Sequence, residues 1–99
     1  MPTKEEVVEA LRQVEDPELG MDIVELGLLY DVAVEDSNVH VTFSLTSMGC
    51  PVGPLIEQQI VEAVAALPGV GTVEPELTWT PPWTPERMSE DAKFVLGFG

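Results

Sequence analysis

The chain is 99 residues long, the size of one ordinary domain with a single hydrophobic core. It carries 18 acidic and 4 basic residues, a formal net charge of −14, and neither Lys nor Arg occurs between Gln13 and Glu86. Because nucleic acids and anionic membranes are bound mainly through cationic side chains, this balance argues against both as partners. A basic protein or a metal fits such a surface better, although a surplus of acid also serves solubility alone.

Nothing in the sequence indicates export or membrane insertion. The first six residues lack the apolar region of a signal peptide, and no apolar run has the length that spans a bilayer. Cys50 is the single cysteine, so an intramolecular disulfide is excluded. We therefore expect a cytoplasmic protein.

The N-terminal residues have the pattern of an amphipathic helix. Thr3 and Glu6 have the spacing of a capping box. Apolar residues then recur at helical intervals at Val7, Val8, Leu11 and Val14. The helix should end near Glu15, because Pro17 disfavours helical geometry in the residue before it.

Residues 16–27 are predicted to form a loop, with glycines at two punctuation points and four carboxylates. These carboxylates lack the dense order of a calcium-binding loop. Asp16 opens the loop, and its first interpretation is a side-chain cap of a turn or short helix rather than a catalytic group.

Two alternating stretches, residues 28–35 and 39–46, predict an antiparallel hairpin with its turn at 36–38. One face of this hairpin is apolar and the other is polar. Leu29 and His40 are predicted to lie on the polar face. His40 is expected to be a solvated sheet residue, because the length of a strand separates it from Cys50.

The second half of the chain predicts a helix, an edge strand and a last helix. The helix spans residues 54–67, with an apolar stripe at Leu55, Ile56, Ile60, Ala63, Val64 and Leu67. The strand follows over 73–79, where Pro75 indicates an edge or a bulge. Trp83 is expected to pack on the core. Ser89 is predicted to cap a helix that carries Ala92, Phe94 and Val95.

These elements predict an α/β fold of the α+β type, a two-layer sandwich in which helices cover one face of a small three-stranded sheet. The other face of the sheet is polar. We expect one domain over residues 1–99.

Cys50 follows the second hairpin strand at a Gly-Cys-Pro turn that leads into a helix. The first turn of a helix carries unpaired N–H groups and the positive end of the macrodipole, which lowers the pKa of a thiol placed there. Gly49 lets the backbone turn and Pro51 suits a helix start. The alternative, a buried cysteine that packs as a small apolar group, stays open at this point.

Three motifs in order resemble the MIP18-type family of iron-sulfur cluster assembly proteins. They are Asp16-Pro17-Glu18, Thr46 with Cys50-Pro51 in a T-x-x-x-C-P arrangement, and the segment from Trp79 to Trp83. This family includes SufT-type proteins and the PaaD subunit of phenylacetate degradation, and its fold is similar to the C-terminal domain of NifU. Met48 stands where members often have proline, and the cysteine-rich C-terminal extension of PaaD-type proteins is missing here. The resemblance therefore favours the SufT-like branch.

The resemblance implies a role in maturing client iron-sulfur proteins, with Cys50 as metal ligand and Asp16 and Thr46 as its accompanying positions. A cluster normally takes several thiolates, and this chain supplies one. A transient cluster would therefore be shared with a second Cys50 across a homodimer, or with a thiol of a client. The implied partners are client apoproteins and cluster assembly factors.

Two other classes of function are weighed against this one. The first is a cluster-free adaptor that docks a client through the polar sheet face or Trp83, including a PaaD-like accessory subunit of a ring-oxygenating system. The second is a thiol enzyme, which is disfavoured because no base lies at a spacing that would pair with Cys50. We expect a protein that is not an enzyme.

Overall fold

The computed structural model describes residues 3–17, 19–45 and 53–97. Its helices are α1 (Lys4–Leu11), α2 (Gly53–Ala65) and α3 (Glu90–Leu96), with a 3-10 turn at Pro85–Arg87. Its strands are β1 (Glu15–Asp16), β2 (Met21–Asp22), β3 (Leu29–Glu35), β4 (Asn38–Phe43) and β5 (Thr72–Leu77).

The main sheet has the order β3-β4-β5 and confirms the three predicted strands. β3 and β4 form the expected antiparallel hairpin, whereas β5 runs parallel to β4. The turn is tighter than predicted, because Asn38 already pairs with Glu35 and leaves Asp36 and Ser37 as the loop. In the described part of the chain β5 is an edge strand, as Pro75 indicated.

The core lies between one face of this sheet and the helices. Along β4, Val39, Val41 and Phe43 are buried while His40 and Thr42 are half-buried. The helices contribute Val7, Leu11, Ile56, Ile60, Val64 and Ala92 to the same apolar cluster. The predicted two-layer α+β arrangement is therefore confirmed.

The N-terminal prediction is right at the start of α1 and wrong at its end. Thr3 and Glu6 form the complete capping box. The helix, however, ends at Leu11 rather than near Glu15. Glu15 belongs to β1, which pairs with β2 in a two-residue antiparallel ladder inside the stretch predicted to be a loop. Pairing with β2 satisfies backbone groups that a longer helix would have used.

A bulge in β3 makes the predicted face of Leu29 wrong. The register shifts between Leu29 and Asp31, so that Leu29 pairs with Phe43 and packs against the core. Strict alternation with the residues after the bulge would have placed Leu29 on the polar face, but the extra residue reverses the alternation across the bulge.

The apolar stripes of the later helices also differ from the prediction. α2 is shorter than residues 54–67, and Leu55 on it is 44% exposed. On α3, Ser89 caps the helix as predicted, its hydroxyl accepting from the Ala92 N–H at 3.1 Å. Phe94 and Val95 are nevertheless exposed. A helix this short buries only a narrow stripe, and here the stripe contains Ala92.

Candidate functional site

The predicted site residues divide between described and undescribed parts of the chain. Thr46 and Cys50 lie outside the described residues, together with the whole segment 46–52. Asp16 is described, and so are Leu45 and Gly53, which flank that segment.

Asp16 is the one carboxylate among the described residues that is buried, with 1% of its surface exposed. It lies on β1 opposite Met21. Its backbone carbonyl accepts hydrogen bonds from Leu19 at 3.2 Å and from Gly20 at 2.8 Å, which closes the turn between β1 and β2. Burying a carboxylate costs free energy, so the rest of the fold has to hold Asp16 in this position.

The residues that flank segment 46–52 pack against each other. Ser44 and Leu45, directly after β4, are buried, and Gly53 is buried at the start of α2. A Cβ atom on Gly53 would lie 3.0 Å from Cδ1 of Leu45. Leu45, the last described residue before this segment, and Gly53, the first one after it, are therefore neighbours in space.

Residues 22–28, here called the bridging loop, connect the Asp16 region with the end of β4. The Ile23 N–H donates to the Val14 carbonyl at 2.9 Å, next to β1. The Leu28 N–H donates to the Ile23 carbonyl at 2.9 Å, and the Ser44 N–H donates to the Leu28 carbonyl at 2.8 Å. Three backbone hydrogen bonds thus link Val14, two residues before Asp16, to Ser44, two residues before Thr46 in the sequence.

Side chains inside the bridging loop hold its shape. Asp22 Oδ1 accepts from the backbone N–H groups of Val24 at 3.0 Å and Glu25 at 2.9 Å, a local turn that Asp favours. Glu25 accepts a hydrogen bond from Ser89 Oγ and another from Arg12 at 3.0 Å. The Asp22 turn has a local signal in the sequence, but the Glu25–Ser89 contact joins residues 64 positions apart and has none.

The pKa of Glu25 is lowered, first by the Ser89 hydroxyl and next by the Arg12 guanidinium. A lowered folded-state pKa stabilises the fold above the pKa of the unfolded chain, and that stabilisation is lost as the pH falls through the folded value. We expect Glu25→Gln to cost about 1 kcal/mol of unfolding free energy at pH 7. Urea unfolding at a series of pH values should show this cost shrinking as the pH falls below about 4.

Glu57→Gln is the control for this measurement, because Glu57 is exposed on α2. Its effect should stay within about 0.5 kcal/mol throughout the series. A Glu25→Gln penalty that does not change with pH would show that the ionised carboxylate is not what stabilises the contact.

The polar sheet face carries His40 between two carboxylates of β5. His40 Nε2 lies 2.9 Å from Glu76 Oε1, and Nδ1 lies 3.9 Å from Glu74 Oε2. A depression of about 240 Å³ adjoins them, lined by Ala33, Glu35, Asn38, His40 and Glu74. Within residues 3–17, 19–45 and 53–97, no three His, Cys, Asp or Glu side chains are grouped to hold a metal ion. Among the described residues, the contacts of the His40 ring are with these two carboxylates of β5.

The structure thus defines a small α+β domain in which a bridging loop joins a buried aspartate to the strand that precedes the single cysteine. The described helices include none that is long and apolar enough to cross a membrane. A family model described as "Iron-sulfur cluster assembly protein" matches residues 4–74. The chain belongs to this family.

The chain is similar over most of its length to two curated factors. It is 53% identical over 95 residues to the Fe-S protein maturation auxiliary factor YitW of Bacillus subtilis, covering 95% of this chain and 93% of that one. It is 51% identical to the Fe-S protein maturation auxiliary factor SufT of Staphylococcus aureus, covering 83% of this chain and 94% of that one. These relationships confirm the family and the SufT-like branch.

A solved structure supports the fold. A domain of unknown function from Bacillus anthracis superposes with a TM-score of 0.90 at 42% identity, over 97% of this chain and 92% of that chain. The predicted fold class is confirmed by this likeness as well as by the sheet order.

Proposed function

We propose that this chain assembles iron-sulfur clusters or delivers them to client proteins, with Cys50 as a ligand of the cluster. The supporting observation is the relationship, at 53% identity over 95 residues, to a factor named for Fe-S protein maturation. The names of the relatives favour this role over a cluster-free adaptor or PaaD-like accessory subunit.

The cluster is cargo in this proposal, and one thiolate is too few to hold it. Iron-sulfur clusters are normally held by four cysteine thiolates, whereas this chain contains one cysteine. We propose that a second thiolate comes from Cys50 of another subunit in a homodimer, or from a thiol of the client, and that the cluster is held only transiently because two thiolates are fewer than four. Asp16 acts beside Cys50 as an orienting group or an oxygen ligand, and Thr46 accompanies them.

In this role the chain acts as a single domain in the cytoplasm, with client apoproteins and cluster assembly factors as its partners. It is not an enzyme in this role, because the cluster is bound and passed on without chemical turnover of a substrate. The acidic surface, with a net charge of −14, suits partners that carry basic patches.

Cys50→Ala tests the ligand role directly. After anaerobic reconstitution we expect the variant to hold no more than about one tenth of the iron and sulfide of the wild type, because the chain then has no thiolate left. Light scattering on the reconstituted wild type measures whether the cluster joins two subunits.

Ser37→Ala, an exposed change in the hairpin turn, is the control and should retain wild-type iron and sulfide. Equal iron and sulfide content in the wild type and Cys50→Ala would remove Cys50 from the ligand set.

A further inference from the structure

The C-terminal strap, defined here as residues 78–97, lies beyond the residues that the family model matches, which end at 74. Its first part carries Trp83, and its last part is α3. Trp79, Trp83 and Leu96 of the strap pack against the core. The strap is therefore part of the folded domain, and its polar contacts indicate a more specific role.

The strap holds the bridging loop at successive positions. The Trp83 indole N–H donates to the Leu26 carbonyl at 2.7 Å. The Ser89 N–H donates to the Glu25 carbonyl at 2.8 Å. The backbone of Arg87 packs so closely on Gly27 that no side chain fits between them. Three consecutive residues of the loop are thus held by the strap.

The same loop also forms backbone hydrogen bonds to the residues before Asp16 and to Ser44. Ile23 is bonded to Val14 beside β1, and Leu28 is bonded to Ser44 at the end of β4. Between these points, Leu26 is fully buried, so its carbonyl depends on Trp83 for the hydrogen bond. A shift of the loop would displace the backbone at Ser44, six residues before Cys50.

We propose that Trp83 is a positioning residue for Cys50. By holding Leu26, its indole N–H fixes the bridging loop, and the loop fixes the place where the chain leaves β4 towards the cysteine. The ionisation and reactivity of a thiol depend on its immediate surroundings, so a small displacement of that backbone changes both. This inference rests on the proposed function of Cys50 and extends it to the strap.

Trp83→Phe tests the inference, because it keeps an aromatic ring and removes the N–H donor. The rate of alkylation by iodoacetamide, followed against pH, reports on Cys50 alone since the chain has no other cysteine. We expect the rate at pH 7 to change by at least about threefold, with a shifted pH midpoint. Amide hydrogen exchange at Leu28 and Ser44 should become faster as well.

Trp79→Phe is the matched control, because Trp79 is also a partly buried tryptophan of the strap packed on the core. It should leave the alkylation profile and the exchange of Leu28 and Ser44 unchanged. The inference is overturned if Trp83→Phe gives the wild-type alkylation profile, whatever the exchange rates, or if both variants change the profile equally.

A second measurement needs no variant and decides the matter if Trp83→Phe fails to fold. In the wild type, native-state hydrogen exchange at increasing urea should show the Trp83 indole N–H and the Ser44 N–H opening together. Opening of Trp83 at lower urea, with Ser44 still protected, would overturn the inference.

The positioning role and the ligand role fail separately. If Trp83→Phe changes alkylation while Cys50→Ala retains full iron and sulfide, the strap positions a thiol that is not a cluster ligand. If Cys50→Ala loses the cluster while Trp83→Phe behaves as wild type, the ligand role stands and the positioning role is lost.

Discussion

Gly27→Ala should destabilise the fold by about 3–5 kcal/mol, from left-handed backbone strain and overpacking together. Gly27 has φ of +73°. A Cβ atom there would overlap the carbonyl oxygen of Arg87 and lie 2.5 Å from its carbon. Because the obstacle is backbone, the 3-10 turn Pro85–Arg87 would have to move away from the bridging loop. The urea midpoint of unfolding measures the loss.

Gly20→Ala separates the two causes. Gly20 has nearly the same φ, +72°, but a Cβ atom there meets nothing within 4 Å. It should therefore cost only the strain of the left-handed backbone, about 1–2 kcal/mol. Equal losses for the two variants would show that the contact between Gly27 and Arg87 is not tight.

Phe43→Ala is expected to cost about 3–5 kcal/mol, because it removes a large side chain from the middle of the core. Phe43 lies on β4, the central strand, and is 1% exposed. Its neighbours on β3 and β5 are Leu29 and Leu77. Backbone pairing on both sides keeps β4 from closing over the cavity, so thermal unfolding should occur at a markedly lower temperature.

The chain provides a matched control in Phe94, which is 83% exposed on α3. Phe94→Ala removes the same atoms from solvent instead of from the core, and its effect should stay within about 0.5 kcal/mol. A loss for Phe94→Ala as large as that for Phe43→Ala would mean that α3 packs against something through this side chain.

Local sequence patterns were sufficient for the elements that a few neighbouring residues determine. The capping box at Thr3, the cap at Ser89 and the alternation along β4 each depend on residues within one turn or one strand, and all three are confirmed. The family was also recognisable, because its motifs are short and occur in order. For the site, the sequence singled out Asp16, and the structure adds that this carboxylate is buried.

The sequence by itself thus determined the class of fold and the family, since these follow from local periodicity and short motifs. Only the tertiary structure decided the bulge that turns Leu29 inward and the two contacts of the strap, Trp83 with Leu26 and Ser89 with Glu25. These contacts join residues 57 and 64 positions apart. Because such partners meet only after the core has brought the strap against the loop, no local pattern encodes them.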